Sequence, residues 1–265
     1  MLRIYRRMWQ VNWAEQWQYR ANLVMYILYW IVQPIIYIAV WTSIASARGS
    51  VSGLTANDFI TYYMTMLIVD QLTSEVVIYI FAYKIQDGTL SGELIRPVHP
   101  ILTNTLMNNI AFKGLTTFVL LPVWTVLFVL FQPNFASVTT ANILLTVPAV
   151  ILGFTVNFML SATIACIAFW TTRVWALYRL YGVPFALFSG QFVPLQLMPK
   201  IIEDIAIYLP FQLFKYFPTQ LILGKLSNEE IWRGYTMDIF WLIIALILFR
   251  WAWRKGVKQY SAVGA

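Results

Sequence analysis

Six predominantly apolar stretches, at 23–45, 59–82, 109–131, 143–170, 176–197 and 237–253, leave this chain of 265 residues few ways to fold. About 20 such residues carry a helix across the roughly 30 Å hydrocarbon layer of a bilayer. A soluble domain of this size cannot hide so much apolar surface. Of the residues, 60% are hydrophobic and 11% charged, against about 25% charged in an ordinary soluble domain. Inside lipid, backbone N–H and C=O groups must find partners within the segment, which for runs of this length means helices. The expected fold is an all-α membrane protein with six transmembrane helices. The fourth run holds Pro148 and Gly153 and is long enough to tilt or kink.

The formal charge of +7 would suit a nucleic acid if the basic residues formed a patch. They sit at the ends of the apolar runs, so no nucleic-acid partner is expected. Threading six spans puts thirteen basic residues on the side of the termini (Arg3, Arg6, Arg7, Arg20, Lys84, Arg96, Lys113, Arg173, Arg179, Arg250, Arg254, Lys255 and Lys258). Five lie on the other (Arg48, Lys200, Lys215, Lys225 and Arg233). The positive-inside rule then places both termini in the cytoplasm. Of the acids, Asp58, Glu203, Asp204, Glu229, Glu230 and, at the edge of the last span, Asp238 fall on the outer side, and Glu15, Asp87 and Glu93 on the inner.

With this threading "KIQDGTLSGELIRPVHPI", at 84–101, opens a cytoplasmic loop over 84–108, and 198–236 is an outer segment. The outer segment carries two apolar stretches of about ten residues, each too short to cross and suited to a re-entrant or interfacial helix. Pro199, Pro210 and Pro218 divide them. At the other end, Tyr5, Trp9, Trp13 and Trp17 recur every four residues among Arg3, Arg6 and Arg7. That spacing predicts an amphipathic helix over 1–22, lying on the inner leaflet with its aromatic rings among the lipid headgroups. It is not the short basic start and short apolar core of a cleaved signal peptide. The membrane domain proper is expected over 23–265.

Motifs for chemistry are missing. The one Gly-Lys pair, Gly224-Lys225, is followed by Leu226 and makes no phosphate-binding loop. Cys166 lies alone in an apolar run and His99 is the single histidine, so no metal site and no triad is expected. What stands out is polar sequence inside the second run: Asp70, Gln71 and Glu75. A carboxylate near mid-bilayer costs about 2.5 to 3.5 kcal/mol on insertion scales and rarely faces lipid. In an unbroken helix Asp70 and Glu75 would stand about 140° apart, on different faces. Two readings fit: a polar wall on a translocation path or subunit contact, and hydrogen bonds that only tie helices together.

The stretch "SGQFVPLQLMPKIIEDIAIYLPF", at 189–211, resembles the signature of type-2 ABC exporter permeases, carried here by Gly190, Pro194, Leu195, Pro199, Leu209 and Pro210. The loop after the second run resembles a motif of a bacterial subfamily similar to multidrug and viologen exporter permeases. Its positions read Gly88, Leu90, Leu94, Arg96, Pro97 and Val98. The amphipathic start and six spans extend the likeness over nearly the whole chain.

The resemblance implies a permease subunit that is not itself an enzyme and binds no cofactor. Two ABC ATPase subunits would use ATP and magnesium, and a second permease, identical or related, would complete the pore. The protein would sit in the inner (plasma) membrane among lipids and move an amphipathic, drug-like, cationic or lipid-like molecule outward. Gly88, Leu90, Leu94, Arg96 and Pro97 would form the ATPase-coupling site, with Leu90 and Leu94 as apolar knobs on a short helix. Asp70, Gln71 and Glu75 would line the path, and Gly190, Pro194, Pro199 and Pro210 would frame an outer gate. The loop read by itself also fits a plain solvated connector. The competing function is an ion-coupled secondary transporter or channel that uses Asp70 and Glu75, and a membrane scaffold without transport is a third.

Overall fold

The computed structural model describes residues 6–7, 10–14 and 20–260. Among them the fold is helical, with no strand. The helices are α1 (Arg20–Arg48), α2 (Ala56–Thr73), α3 (Val77–Gln86), α4 (Leu90–Leu94), α5 (Leu106–Phe131), α6 (Thr140–Ala165), α7 (Val174–Phe188), α8 (Lys200–Ala206), α9 (Phe211–Phe214), α10 (Tyr216–Ile222) and α11 (Asn228–Gln259). A π-turn at Ile101–Thr105 leads into α5, and a 3-10 turn at Cys166–Phe169 extends α6. Among the described residues five segments are long and apolar enough to cross a membrane: Trp30–Arg48, Ala56–Gln86, Leu106–Phe131, Thr140–Phe169 and Asn228–Gln259.

Helix starts at one end of the molecule are written in the sequence. Thr55 and Asp58 form a capping box at α2, Ser227 and Glu230 form one at α11, and the Thr139 hydroxyl caps α6. Each supplies oxygen to N–H groups that the first turn leaves unpaired. The Lys225 ammonium bridges to Asp58 at 2.8 Å, and the Asn134 N–H donates to the Thr61 hydroxyl, so these ends are one surface.

The fifth run departs from expectation. Its helix stops at Phe188 and does not reach 197. Gly190 follows with φ +77°, and Pro194 opens a separate 3-10 turn. α7 is therefore about 22 Å long, short of a roughly 30 Å core. It begins next to Thr172, whose carbonyl accepts from Gln86, and ends at Gly190, whose carbonyl accepts from the Tyr62 hydroxyl of α2.

The space beyond α7 is filled by the short helices α9 and α10 and the turn between them, which pack against α6 and α2. Phe211, Leu213, Phe214, Phe217 and Leu221 are all buried there. A β-carbon on Gly153 of α6 would stand 2.6 Å from the Leu213 carbonyl oxygen, and one on Gly234 of α11 would strike the Phe217 ring. Glycine at these two positions lets the turn sit deep in the bundle. Irregular backbone at such depth is tolerated because protein surrounds it.

At the N-terminus, residues 10–14 are helical. Asn108 donates to the Asn12 side chain at 3.2 Å, and the Trp13 ring lies over Gly114 of α5. Tyr5, Trp9 and Trp17, which define the expected amphipathic face, lie outside the described residues.

Candidate functional site

The second run is not one helix. Ser74 is extended (φ −64°, ψ 161°), and Ser74, Glu75 and Val76 separate α2 from α3. The break leaves carbonyls at the end of α2 and N–H groups at the start of α3 without helical partners. Side chains from two neighbouring helices supply them. Lys113 of α5 donates to the Leu72 carbonyl at 2.5 Å, and Asn157 of α6 donates to the Thr73 carbonyl at 3.1 Å. Glu75 accepts from the Val77 N–H at 2.5 Å and from the Ser161 hydroxyl at 2.6 Å. The Lys113 ammonium also lies 4.3 Å from the centre of the Phe154 ring. This is a built polar junction, with partners drawn from α5, α6 and Glu75 of the break itself.

The break also changes what Asp70 and Glu75 can do together. An unbroken helix would hold them on different faces, but here both line one cavity of about 350 Å³. Gln33, Gln191 and Asn157 contribute amides to its wall, and Trp30, Tyr178, Tyr181 and Phe185 contribute rings. Gln71 is not in that wall. Its amide donates to Thr116, Thr117 and the Lys113 carbonyl inside the α2–α5 contact, where it is 1% exposed.

A residue that sequence reasoning left on the outer surface completes the cavity. Lys215, between α9 and α10, reaches Asp70 at 2.6 Å and Gln191 at 2.7 Å. A signal was available. In "PFQLFKYFP" a single lysine interrupts a buried apolar stretch, and such a charge needs a carboxylate. Asp70 and Glu75 are the acids the sequence places well inside a run, whereas Asp238 stands at the edge of one.

Of the proposed gate residues, Gly190 adopts a left-handed turn against Tyr62 and Tyr216, where a β-carbon would come within 2.8 to 2.9 Å of both. Two residues on, the Phe192 carbonyl accepts from Tyr63 of α2 and from Trp41 of α1. Pro194, Pro199 and Pro210 stand just before the 3-10 turn, α8 and α9 respectively.

At the opposite end lies the loop after α3. The Asp87 carboxylate accepts from the Thr89 N–H and hydroxyl, and Gly88 turns the chain at φ +83°. The turn launches α4. Leu90 does not project outward as a knob: it is 0% exposed and joins Phe81, Ile101, Val174 and Phe249 in this end's core, with Leu94 packed against the same cluster. The five-residue helix buries its apolar side inward because the bundle offers a pocket there. Lys84 and Glu93 hold it with an ion pair of 2.7 Å, and the His99 ring packs 4.6 Å from Trp253 of α11. What faces out is Ser91, Gly92, Ile95, Arg96 and Pro97, with Ile95 87% exposed.

The family described as ABC-2 family transporter protein matches residues 31–264. The chain belongs to this family. It is an ABC-2 permease, a multi-pass membrane subunit of an ABC transporter, and the ATPase of such a transporter is carried on separate subunits. No curated protein matches this permease.

Proposed function

We propose that this permease is the membrane subunit of an exporter in the inner membrane, driven by two ATPase subunits that dock on the loop at 84–108. A second permease, identical or related, faces the first. Both termini lie in the cytoplasm, and the substrate is an amphipathic small molecule that enters the cavity at Asp70 and Glu75 from the cytoplasm or the inner leaflet. The residues that frame the outer turn, Gly190, Pro194, Pro199 and Pro210, act as the outer gate.

The observation that carries this reading is the loop helix. Leu90, Leu94 and the Lys84–Glu93 pair fix it to the bundle, while Ile95 stands out with Arg96 beside it. A large apolar side chain fixed at a rigid tip, next to a guanidinium that can form charge-assisted bonds, suits insertion into a groove of a partner. ATP binding closes the two ATPases, and the rigid helix passes that motion into α3. The break above α3 then lets it move relative to α2.

The test is co-purification after gentle solubilisation. An ATPase should come down with the native permease and be lost with Ile95→Asp/Arg96→Glu, while the variant's melting temperature stays at the native value. Leu90→Asp should instead lower the melting temperature, because it buries a charge. An ATPase retained in full by Ile95→Asp/Arg96→Glu would remove the docking role. Transport that follows an ion gradient and needs no ATPase would favour an ion-coupled carrier instead.

A further inference from the structure

The Lys215 ammonium is placed as a bound cation would be. It has the Asp70 carboxylate at 2.6 Å, the Gln191 amide oxygen at 2.7 Å, and the Phe185 ring centre at 5.1 Å. A carboxylate, a neutral acceptor and an aromatic face are the three kinds of group that recognise organic cations. They come from three elements, α2, the turn after α7, and α7 itself. The cation comes from a fourth, the α9–α10 junction. All four residues line the same cavity.

The pair is unequal in its access. The Lys215 side chain is 6% exposed, whereas Asp70 keeps 26% of its side chain open. A ligand in the cavity can therefore reach the carboxylate while the ammonium holds it. Glu75 lines the same space, so two carboxylates face the cavity and Lys215 is the one lysine or arginine among the lining residues. The ammonium also has a mechanical role. It ties the re-entrant turn to α2, and its second bond, to Gln191, holds the turn that begins at Gly190.

We propose that this cavity binds organic cations with an apolar or aromatic body, and that Lys215 is a built-in competitor for the cation position. A substrate that takes Asp70 and the Phe185 face displaces the ammonium, which swings away on its flexible four-carbon stem. Displacement frees the re-entrant turn from α2, so substrate occupancy and release of the outer side become one event. The proposal deepens the exporter reading and rests on the cavity being its substrate path. It adds a recognition element, Lys215, and a reason for the outer side to stay shut when the cavity is empty.

Binding of radiolabelled tetraphenylphosphonium to the purified permease in nanodiscs tests it. Native protein must spend part of its affinity on expelling Lys215, so Lys215→Met should bind about tenfold more tightly, as removal of a competing state requires. Asp70→Asn should bind at least about tenfold more weakly. Neither change should alter binding of uncharged triphenylphosphine oxide. Lys215→Met binding no tighter than native, or Asp70→Asn binding as well as native, would overturn the proposal.

Native protein gives a second readout that needs no variant to fold. Modification of Lys215 by an amine reagent, followed by mass spectrometry, should accelerate several-fold at saturating tetraphenylphosphonium and not with the phosphine oxide. Unchanged Lys215 reactivity, or no binding of the cation, would also overturn it. These assays use no ATPase. Cation displacement without ATPase docking would sink only the exporter reading, and docking without displacement would sink only the role of Lys215.

Discussion

Asp238 is a residue whose surroundings contradict its sequence position. Read as an outer charge beside the last span, it is 0% exposed, and neither carboxylate oxygen has a hydrogen-bond partner among the described residues. Burying a polar group without partners costs free energy, and removing its charge should cost nothing. Asp238→Asn should therefore melt at or above the native temperature in a detergent thermal-shift assay. A lower melting temperature would mean that the carboxylate has a partner it needs. Gly153 gives the opposite prediction. A methyl there meets the Leu213 carbonyl, which the buried α9–α10 segment cannot easily move, so Gly153→Ala should destabilise by about 1 to 3 kcal/mol, the usual cost of overpacking. The sequence shows a glycine in a long run, but not that another backbone passes over it. The same limit hid the Lys215–Asp70 pair: each residue is conspicuous alone, and their 145-residue separation gives no local spacing to read.

At the scale of elements, the runs were legible because apolar length is a local property. Their interruptions were less so. Nothing at 74–76 breaks a helix by itself, since the stretch holds neither proline nor glycine. The break persists because Lys113, Asn157 and Ser161 arrive from α5 and α6 to satisfy it, which is tertiary information. The loop helix was legible as a helix, from its Asp87-Gly88-Thr89 turn, but the face it presents was not. Leu90 and Leu94 are apolar and four apart whether they face a partner or the chain's own core. His99 makes the loop's attachment testable. Burial against Trp253 lowers its pKa from 6.5. A histidine with a lowered folded value stabilises the fold as the neutral ring. That contribution is complete above the unfolded value, about pH 6.5, and is lost as pH falls from there toward the folded value. The native permease should lose melting temperature between pH 7.5 and 5.5 by more than His99→Phe does, with the difference confined to the acidic side. Equal losses in the two proteins would detach His99 from the loop's stability.

The whole molecule sets a constraint that no single helix does. The proposed cytoplasmic placement of both termini requires an even number of crossings, yet five segments among the described residues are long enough. On that proposal α7 supplies the sixth within 15 residues. Its contacts allow this, since it starts near Gln86 at the loop end, and Gly190 just after it bonds to Tyr62 of α2 toward the capped end. With that crossing, α9 and α10 would fill the depth that the short helix leaves, so a thinner wall there would not expose backbone to lipid. Orientation follows if the lysine and arginine bias is obeyed, and it can be measured on a chain with one cysteine. Cys166 is buried, so Cys166→Ser gives a silent background. Ile95 and Tyr208 are 87% and 64% exposed, at the loop and next to α8. In intact cells a membrane-impermeant maleimide should label Tyr208→Cys and not Ile95→Cys, and after lysis it should label both. Labelling of Ile95→Cys from outside would invert the molecule and put the loop out of reach of any cytoplasmic ATPase. Labelling of both sites in intact cells would mean that α7 does not cross, and the two ends of the bundle would no longer be separated by the membrane.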